Sequence, residues 1–207
     1  GQTDLMHDVV IIGGGVIGLS IGCELAGQGV SVAVLERGQI GRESSWAGAG
    51  ILPPGNPAAA HTAEARLRAA SHVLWPGWSE LLKSETGIDN GYRPCGGLEV
   101  RLGGQTGELA DEQSAWRAEG VAVEPLENAA IWNSEPELSR SVTSAYRLPE
   151  MGQVRNPRHL RALTALALAR GVRLFPGAEA MGLEIVGSRV CSVRLHNDRI
   201  VGGTFVV

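Results

Sequence analysis

A chain of 207 residues that is 43% hydrophobic and 19% charged is long enough to bury a core and has the make-up of an ordinary globular protein. Its formal charge of −4 and the absence of any lysine cluster argue against nucleic acid or a membrane surface as partner; every other basic residue beside Lys83 is an arginine, which is read as coding bias. No apolar run is long enough to cross a bilayer and no charged-then-apolar signal opens the chain, so the expected location is the cytoplasm. Cys23, Cys95 and Cys191 are odd in number, far apart and without a C-x-x-C; they are expected to be reduced thiols, with neither a disulfide frame nor a metal site. The stretch GQTDL ahead of Met6 is read either as native sequence or as a remnant added before a native start.

Asp8 to Ile12 is a run of β-branched residues ended at once by glycines, the pattern of a strand buried on both faces of a parallel sheet. Gly13, Gly15 and Gly18 then match G-x-G-x-x-G, in which the first glycine makes the tight turn, the second lets backbone approach a pyrophosphate and the third lets helix and strand pack closely. A helix from about Val16 to Gln28 would point its free N–H groups at those phosphates. Val30 to Leu35 reads as a second buried strand, and Glu36 stands eighteen residues after Gly18, where a carboxylate accepts both ribose hydroxyls. An acid there disfavours a 2′-phosphate, so NAD or FAD is expected. Gly18-Leu19-Ser20-Ile21-Gly22 also reads G-x-S-x-G, but a nucleophile elbow needs its serine on the turn, and Ser20 falls a full turn inside the helix.

The next stretch, RGQIGRESSWAGAGIL (37–52), carries Ser44, Ser45, Ala47, Gly48, Ala49 and Gly50. Such small residues let backbone lie flat against a planar ligand and offer donors to its phosphates. A proline-rich exit at 53–60 leads to a helix over about His61–Thr86, which Pro76 should kink or divide. Gly96–Leu102 alternates as a strand, Glu108–Glu119 is expected to be helix, Val121–Glu124 a short strand, and NSEPELS (133–139) a turn. Ala145–Leu148 and Gln153–Arg155 read as strands. Asn156 is placed to cap a helix through about Arg170, with Pro157 in its first turn and Gly171 as its stop. Strands are expected at Val172–Phe175, Ala178–Val186, Arg189–Leu195 and Gly203–Val207. His61, His72, His159 and His196 lack metal-ligand spacing and are expected on the surface or on helices. Trp75 and Trp78 are expected in a core or interface. Arg93 and Arg101 flank a strand; either can face a substrate carboxylate, and solvated arginines are expected.

The combination of IIGGGVIGLSIGCELAGQG, the terminal LERG and GRESSWAGAGIL resembles the D-amino-acid oxidase superfamily of FAD enzymes, nearest its glycine oxidase branch. RPCGGLEVRL (93–102) is similar to the strand that opens the family's substrate domain, and residues 152–185 to the return into its FAD domain; 104–145 match loosely. The resemblance implies an α/β fold, a three-layer Rossmann-like FAD-binding domain with part of an inserted antiparallel-sheet substrate domain. The implied segments are 1–90 and 151–207 for the FAD domain and 91–150 for the substrate domain. It places FAD contacts on Gly13, Gly15, Val16, Ile17 and Gly18, on Glu36 and Arg37, on Ser44 and Ser45, on Ala49, Gly50 and Ile51, and on Ala180 through its main chain. Trp46 departs from the family's usual small residue.

The activity so implied is oxidation of a small amino acid or amine, glycine above all, to its imine, with dioxygen reduced to hydrogen peroxide, in thiamine biosynthesis. Few catalytic side chains are expected, because the flavin carries the hard step. Another superfamily oxidase or dehydrogenase, acting on sarcosine or a D-amino acid, and an inactive nucleotide-binding fragment are the alternatives. The family's carboxylate-binding arginine lies in a C-terminal half beyond Val207. The expectation is therefore either that a separate C-terminal chain complements residues 1–207, or that these residues alone hold FAD weakly and do not oxidise glycine; exposed apolar strand faces and an unpaired sheet edge favour association or aggregation, and a homo-oligomer is expected.

Overall fold

The computed structural model describes residues 6–103, 106–127 and 129–207, so GQTDL lies outside the described residues. Along the chain run β1 (His7–Ile12), α1 (Val16–Gly27), β2 (Val32–Glu36), α2 (Ser44–Ala47), β3 (Ile51–Leu52), α3 (Ala63–Thr86), β4 (Gly97–Leu102), α4 (Thr106–Ala118), β5 (Glu124–Leu126) and α5 (Ala129–Ser134). They are followed by β6 (Val142–Leu148), β7 (Gly152–Gln153), α6 (Asn156–Ala169), β8 (Arg173–Pro176), β9 (Gly182–Val186), β10 (Arg189–Arg194) and β11 (Arg199–Val206). These elements form two compact units. The first comprises Gly1–Ala49, Glu80–Asn90 and Arg155–Val207; the second comprises Gly50–Ser79 and Gly91–Val154. Residues 50–79, expected in the first FAD-domain segment, thus cluster with the second unit. Nothing in composition marks that division, because the single helix α3 runs through it.

The first unit is built on a six-stranded sheet in the order β8-β2-β1-β11-β10-β9. Its β8, β2, β1 and β11 are parallel, and β10 and β9 join antiparallel. The two faces of β1 go to different layers because side chains alternate along a strand. Ile11 and Val34 point to the helical layer, where Gly22 brings α1 so close that an added Cβ would stand 3.5 Å from Val34 and 3.8 Å from Ile11. Helix α6 packs beside α1: Arg170 Nη1 donates to the Cys23 carbonyl at 3.0 Å, and the Cys23 thiol donates to the Leu163 carbonyl at 3.4 Å. Burial pushes that thiol up to about 11, which keeps it neutral and inert. The opposite face carries Val10, Ala33 and Leu35 against Val193, with Ile200, Leu195 and Phe205 around them.

The second unit has a three-stranded antiparallel sheet, β4-β6-β5, and the short antiparallel pair β3-β7. On it Tyr146 and Leu148 pack with Leu109, Val121 and Trp116, while Ala145 and Val142 pack with Ile131, Val100 and Trp132. Within this unit Trp75 stacks on Tyr92 at 6.3 Å.

Several elements differ from expectation. Pro76 lies inside α3 without dividing it, because the turns before it are anchored by buried Ala65 and Ala69 and those after it by buried Ser79 and Leu82. Val121 is core packing ahead of β5, so the short strand sits at 124–126 and not at 121–124. The strand expected from Ala178 begins only at Gly182, since the Ala178 amide is committed to the Glu36 carbonyl at 2.9 Å. Arg101 is no solvated arginine: its guanidinium is engaged by Glu112 and stands 3.7 Å from Glu99. Asn156 does not cap α6 with its side chain; the N-cap position is Arg155, and no side chain closes that end.

Candidate functional site

The parallel strands β1 and β2 end side by side, and the crevice outside their carboxyl ends is where open α/β sheets bind ligands. Gly13 turns the chain with φ +113°, a conformation open to glycine and closed to most side chains. Gly18 sits so close beneath that turn that a Cβ would collide with the Gly13 carbonyl oxygen, which fixes the turn against α1. Gly15, by contrast, faces open space apart from the Ser45 hydroxyl, 2.9 Å from where its Cβ would be.

The first turn of α1 leaves backbone donors to be satisfied from outside. Val16 donates to Ser45 Oγ at 3.0 Å. Among the described residues, the amides of Gly15, Ile17 and Gly18 find no acceptor. Glu36 closes β2 and is held by backbone on both oxygens: Oε2 accepts from Gly14 N–H at 2.9 Å and Oε1 from Gly38 N–H at 2.8 Å. Each carboxylate oxygen has a second lone pair, so the carboxylate is fixed in place and still able to accept two hydroxyls. The segment after β8 is drawn in by Gly177 N–H to the Gly38 carbonyl at 3.0 Å and Ala178 N–H to the Glu36 carbonyl, which brings Ala180 to the crevice.

Together these residues line a cleft of about 430 Å³. Of the residues singled out in the sequence, Gly13, Gly15, Glu36, Arg37, Ser44, Ser45 and Ala180 line it. Val16 and Gly18 do not line it. Ile17 is 73% exposed, Ile51 is 60% exposed, and neither they nor Ala49 and Gly50 line the cleft; Gly50 and Ile51 belong to the second unit. Ile12, Leu35, Gly41, Arg42, Glu43, Ala178 and Glu179 line it as well; they were not among the expected contacts, because which strand-end and loop residues face a cleft is set by long-range contacts that leave no local pattern. Two cations reach it. Arg37 is paired with Glu43 at 2.7 Å, and Arg42 lies 3.9 Å over the Trp46 ring, which places the unusual tryptophan as a platform for an arginine. Ser20, the serine of the overlapping G-x-S-x-G, spends its hydroxyl on the Val16 carbonyl at 2.7 Å within α1. Among the described residues no group of three or more His, Cys, Asp or Glu could hold a metal ion, and no helix is long and apolar enough to cross a membrane.

The donor set fits the ADP half of a dinucleotide. Amides without acceptors and two serines suit a diphosphate, the absence of a side chain at Gly15 leaves room for it, and an acid at the strand end suits an unphosphorylated ribose.

The profile of the DAO family, FAD dependent oxidoreductases, matches residues 8–205. The bifunctional protein ThiO/ThiG of Trichormus variabilis is 34% identical over 203 residues, which cover 98% of this chain and 31% of that protein. A glycine oxidase of Pseudomonas aeruginosa is 34% identical over 195 residues, covering 94% of this chain and 52% of its own length. The crystal structure of glycine oxidase from Geobacillus kaustophilus superposes with a TM-score of 0.88 at 29% identity, over 97% of this chain and 54% of that one. The chain therefore spans about half, or less, of the length of these three relatives.

Proposed function

The chain belongs to the DAO family of FAD dependent oxidoreductases, and from that premise we propose that its first unit holds the ADP half of FAD for the oxidation of a small amino acid or amine, glycine foremost. The observation that carries this is one cleft lined by the backbone-fixed Glu36 carboxylate, Gly13, Ser44, Ser45 and Gly15, whose amide finds no acceptor among the described residues. In the proposed arrangement the Glu36 oxygens accept the ribose hydroxyls. The Gly13–Gly15 turn, the α1 amides, Ser44 and Ser45 surround the diphosphate, with Arg42 near enough to offset its charge. Ala180 meets the adenine through its main chain.

Bound there, FAD supplies the two-electron acceptor. The amine loses two electrons and two protons to become the imine, and dioxygen takes them up as hydrogen peroxide. In this reading the protein's task is binding and orientation. Service to thiamine biosynthesis is part of the same proposal and draws its support from the ThiO/ThiG relative. The test is peroxide release by the polypeptide as its gene encodes it, with saturating FAD and glycine, sarcosine or D-alanine in turn. Release fastest with glycine supports the reading. Reduction of an artificial electron acceptor without peroxide would make the protein a dehydrogenase and overturn it.

A further inference from the structure

Asn156 is the first residue of α6, directly after the Arg155 N-cap, and no side chain caps this helix. Its amide is directed elsewhere. Nδ2 donates to the Ser45 carbonyl at 3.0 Å, across 111 residues of sequence. The same Ser45 takes the Val16 N–H on its hydroxyl at 3.0 Å. A Cβ on Gly48 would collide with Asn156 Nδ2, so the glycine three residues on from Ser45 is the space the amide occupies. The base of α6 is itself immobilised. Arg155 N–H donates to the Asn90 carbonyl at 2.9 Å, and the Asn90 amide nitrogen lies 3.2 Å from Nδ1 of His159. Burial holds that ring down at about 4, so it stays neutral.

We propose that Asn156 is a positioning residue for the cofactor diphosphate, fixing the Ser44–Ala47 turn so that Ser45 stands at the N-terminus of α1. Helix α2 has four residues and no side-chain cap of its own, too short to hold its shape by helical hydrogen bonds alone. Its geometry is set from outside, by the amide of Asn156 on one side and the Val16 N–H on the other. Asn156 commits its side-chain amide to the Ser45 carbonyl and so gives a preformed phosphate turn. Preorganisation of this kind raises affinity by removing an ordering cost from the binding step.

This inference rests on the cofactor reading of the cleft, and the experiment separates the two. The apoprotein of the polypeptide as its gene encodes it is titrated with FAD, and the same titration is run on Asn156→Ala, Gly48→Ala, their double variant, and Thr164→Ala as a control elsewhere on α6. Gly48 has φ −62°, so alanine is free of backbone strain there and this variant keeps the test open even if Asn156→Ala fails to fold. Each single change is expected to weaken FAD binding about tenfold with the apoprotein melting temperature unchanged. The double variant should be no weaker than either single one, since both break the same contact. Thr164→Ala should bind FAD as the parent does. Unchanged affinity in Gly48→Ala or Asn156→Ala, or additive losses in the double variant, overturns the positioning role while leaving the cofactor reading intact. Failure of the parent chain to bind FAD at all overturns both.

Discussion

Replacing Glu36 by glutamine keeps the side chain's shape and removes its charge and one of its acceptors. In the structure each carboxylate oxygen takes one backbone N–H, from Gly14 at 2.9 Å and from Gly38 at 2.8 Å. A glutamine can satisfy one of these amides and turns an NH₂ toward the other. A hydrogen bond to a charged group contributes about 1.5–3 kcal/mol. Glu36 is only half-buried, so water recovers part of that, and the apoprotein should lose about 1–2 kcal/mol, a fall of roughly 3–6 °C in melting temperature for a chain of this size. The cost to the cofactor is separate. The ribose hydroxyls lose a charged acceptor, which should weaken FAD by roughly 10- to 150-fold. Thermal melting of the apoprotein and a calorimetric FAD titration read the two effects independently. If Glu36→Gln lowered the melting temperature but bound FAD with unchanged affinity, Glu36 would be an anchor of the glycine turn and no ribose ligand.

Gly18→Ala forces a methyl group into the Gly13 carbonyl and should destabilise the apoprotein by about 3 kcal/mol or more; a melting temperature within a degree of the parent would contradict the close helix–strand approach. Gly15→Ala meets only the rotatable Ser45 hydroxyl, at 2.9 Å, and should leave stability within about 1 kcal/mol while weakening FAD at least about tenfold. Equal damage to fold and binding would assign Gly15 to packing. His159 is held at about 4, below its ordinary 6.5, by burial. The unfolded chain therefore binds more protons across that window. Stability should be full above pH 6.5 and fall by up to about 1.4 kcal/mol per pH unit as the pH drops toward 4. A His159→Asn variant should lose that slope, and identical pH profiles for parent and variant would refute it.

The β1–α1–β2 segment was legible because its signals are local. β-Branched residues, three glycines with separate steric tasks and an acid at the strand end all lie within thirty residues, and the structure uses Gly13 and Gly18 as the motif requires. Family membership was legible for the same reason, since the quoted motifs are short and contiguous, and the family profile bears it out. What was missed depends on contacts distant in sequence. Helix α2 has no periodicity to detect in four residues, and it exists because Asn156 and Val16 hold Ser45 from opposite sides. Asn156 was expected to cap its own helix because propensity describes neighbours along the chain and is blind to a carbonyl 111 residues away. Ala178–Met181 was expected to begin the strand that runs to Val186, but the Ala178 amide is bound by the Glu36 carbonyl before a ladder can begin. Arg101 was expected in solvent because nothing local announces Glu112 beside it.

The central claim is that the cleft of the first unit holds the ADP half of FAD. Isothermal titration of the 207-residue chain with FAD, repeated in the presence of excess ADP and then with NAD, tests it most directly. The account predicts one FAD per chain, displaced competitively by ADP, with NAD binding more weakly and Glu36→Gln losing affinity for FAD and ADP alike. Absence of FAD binding, or FAD binding that ADP does not displace, would contradict it.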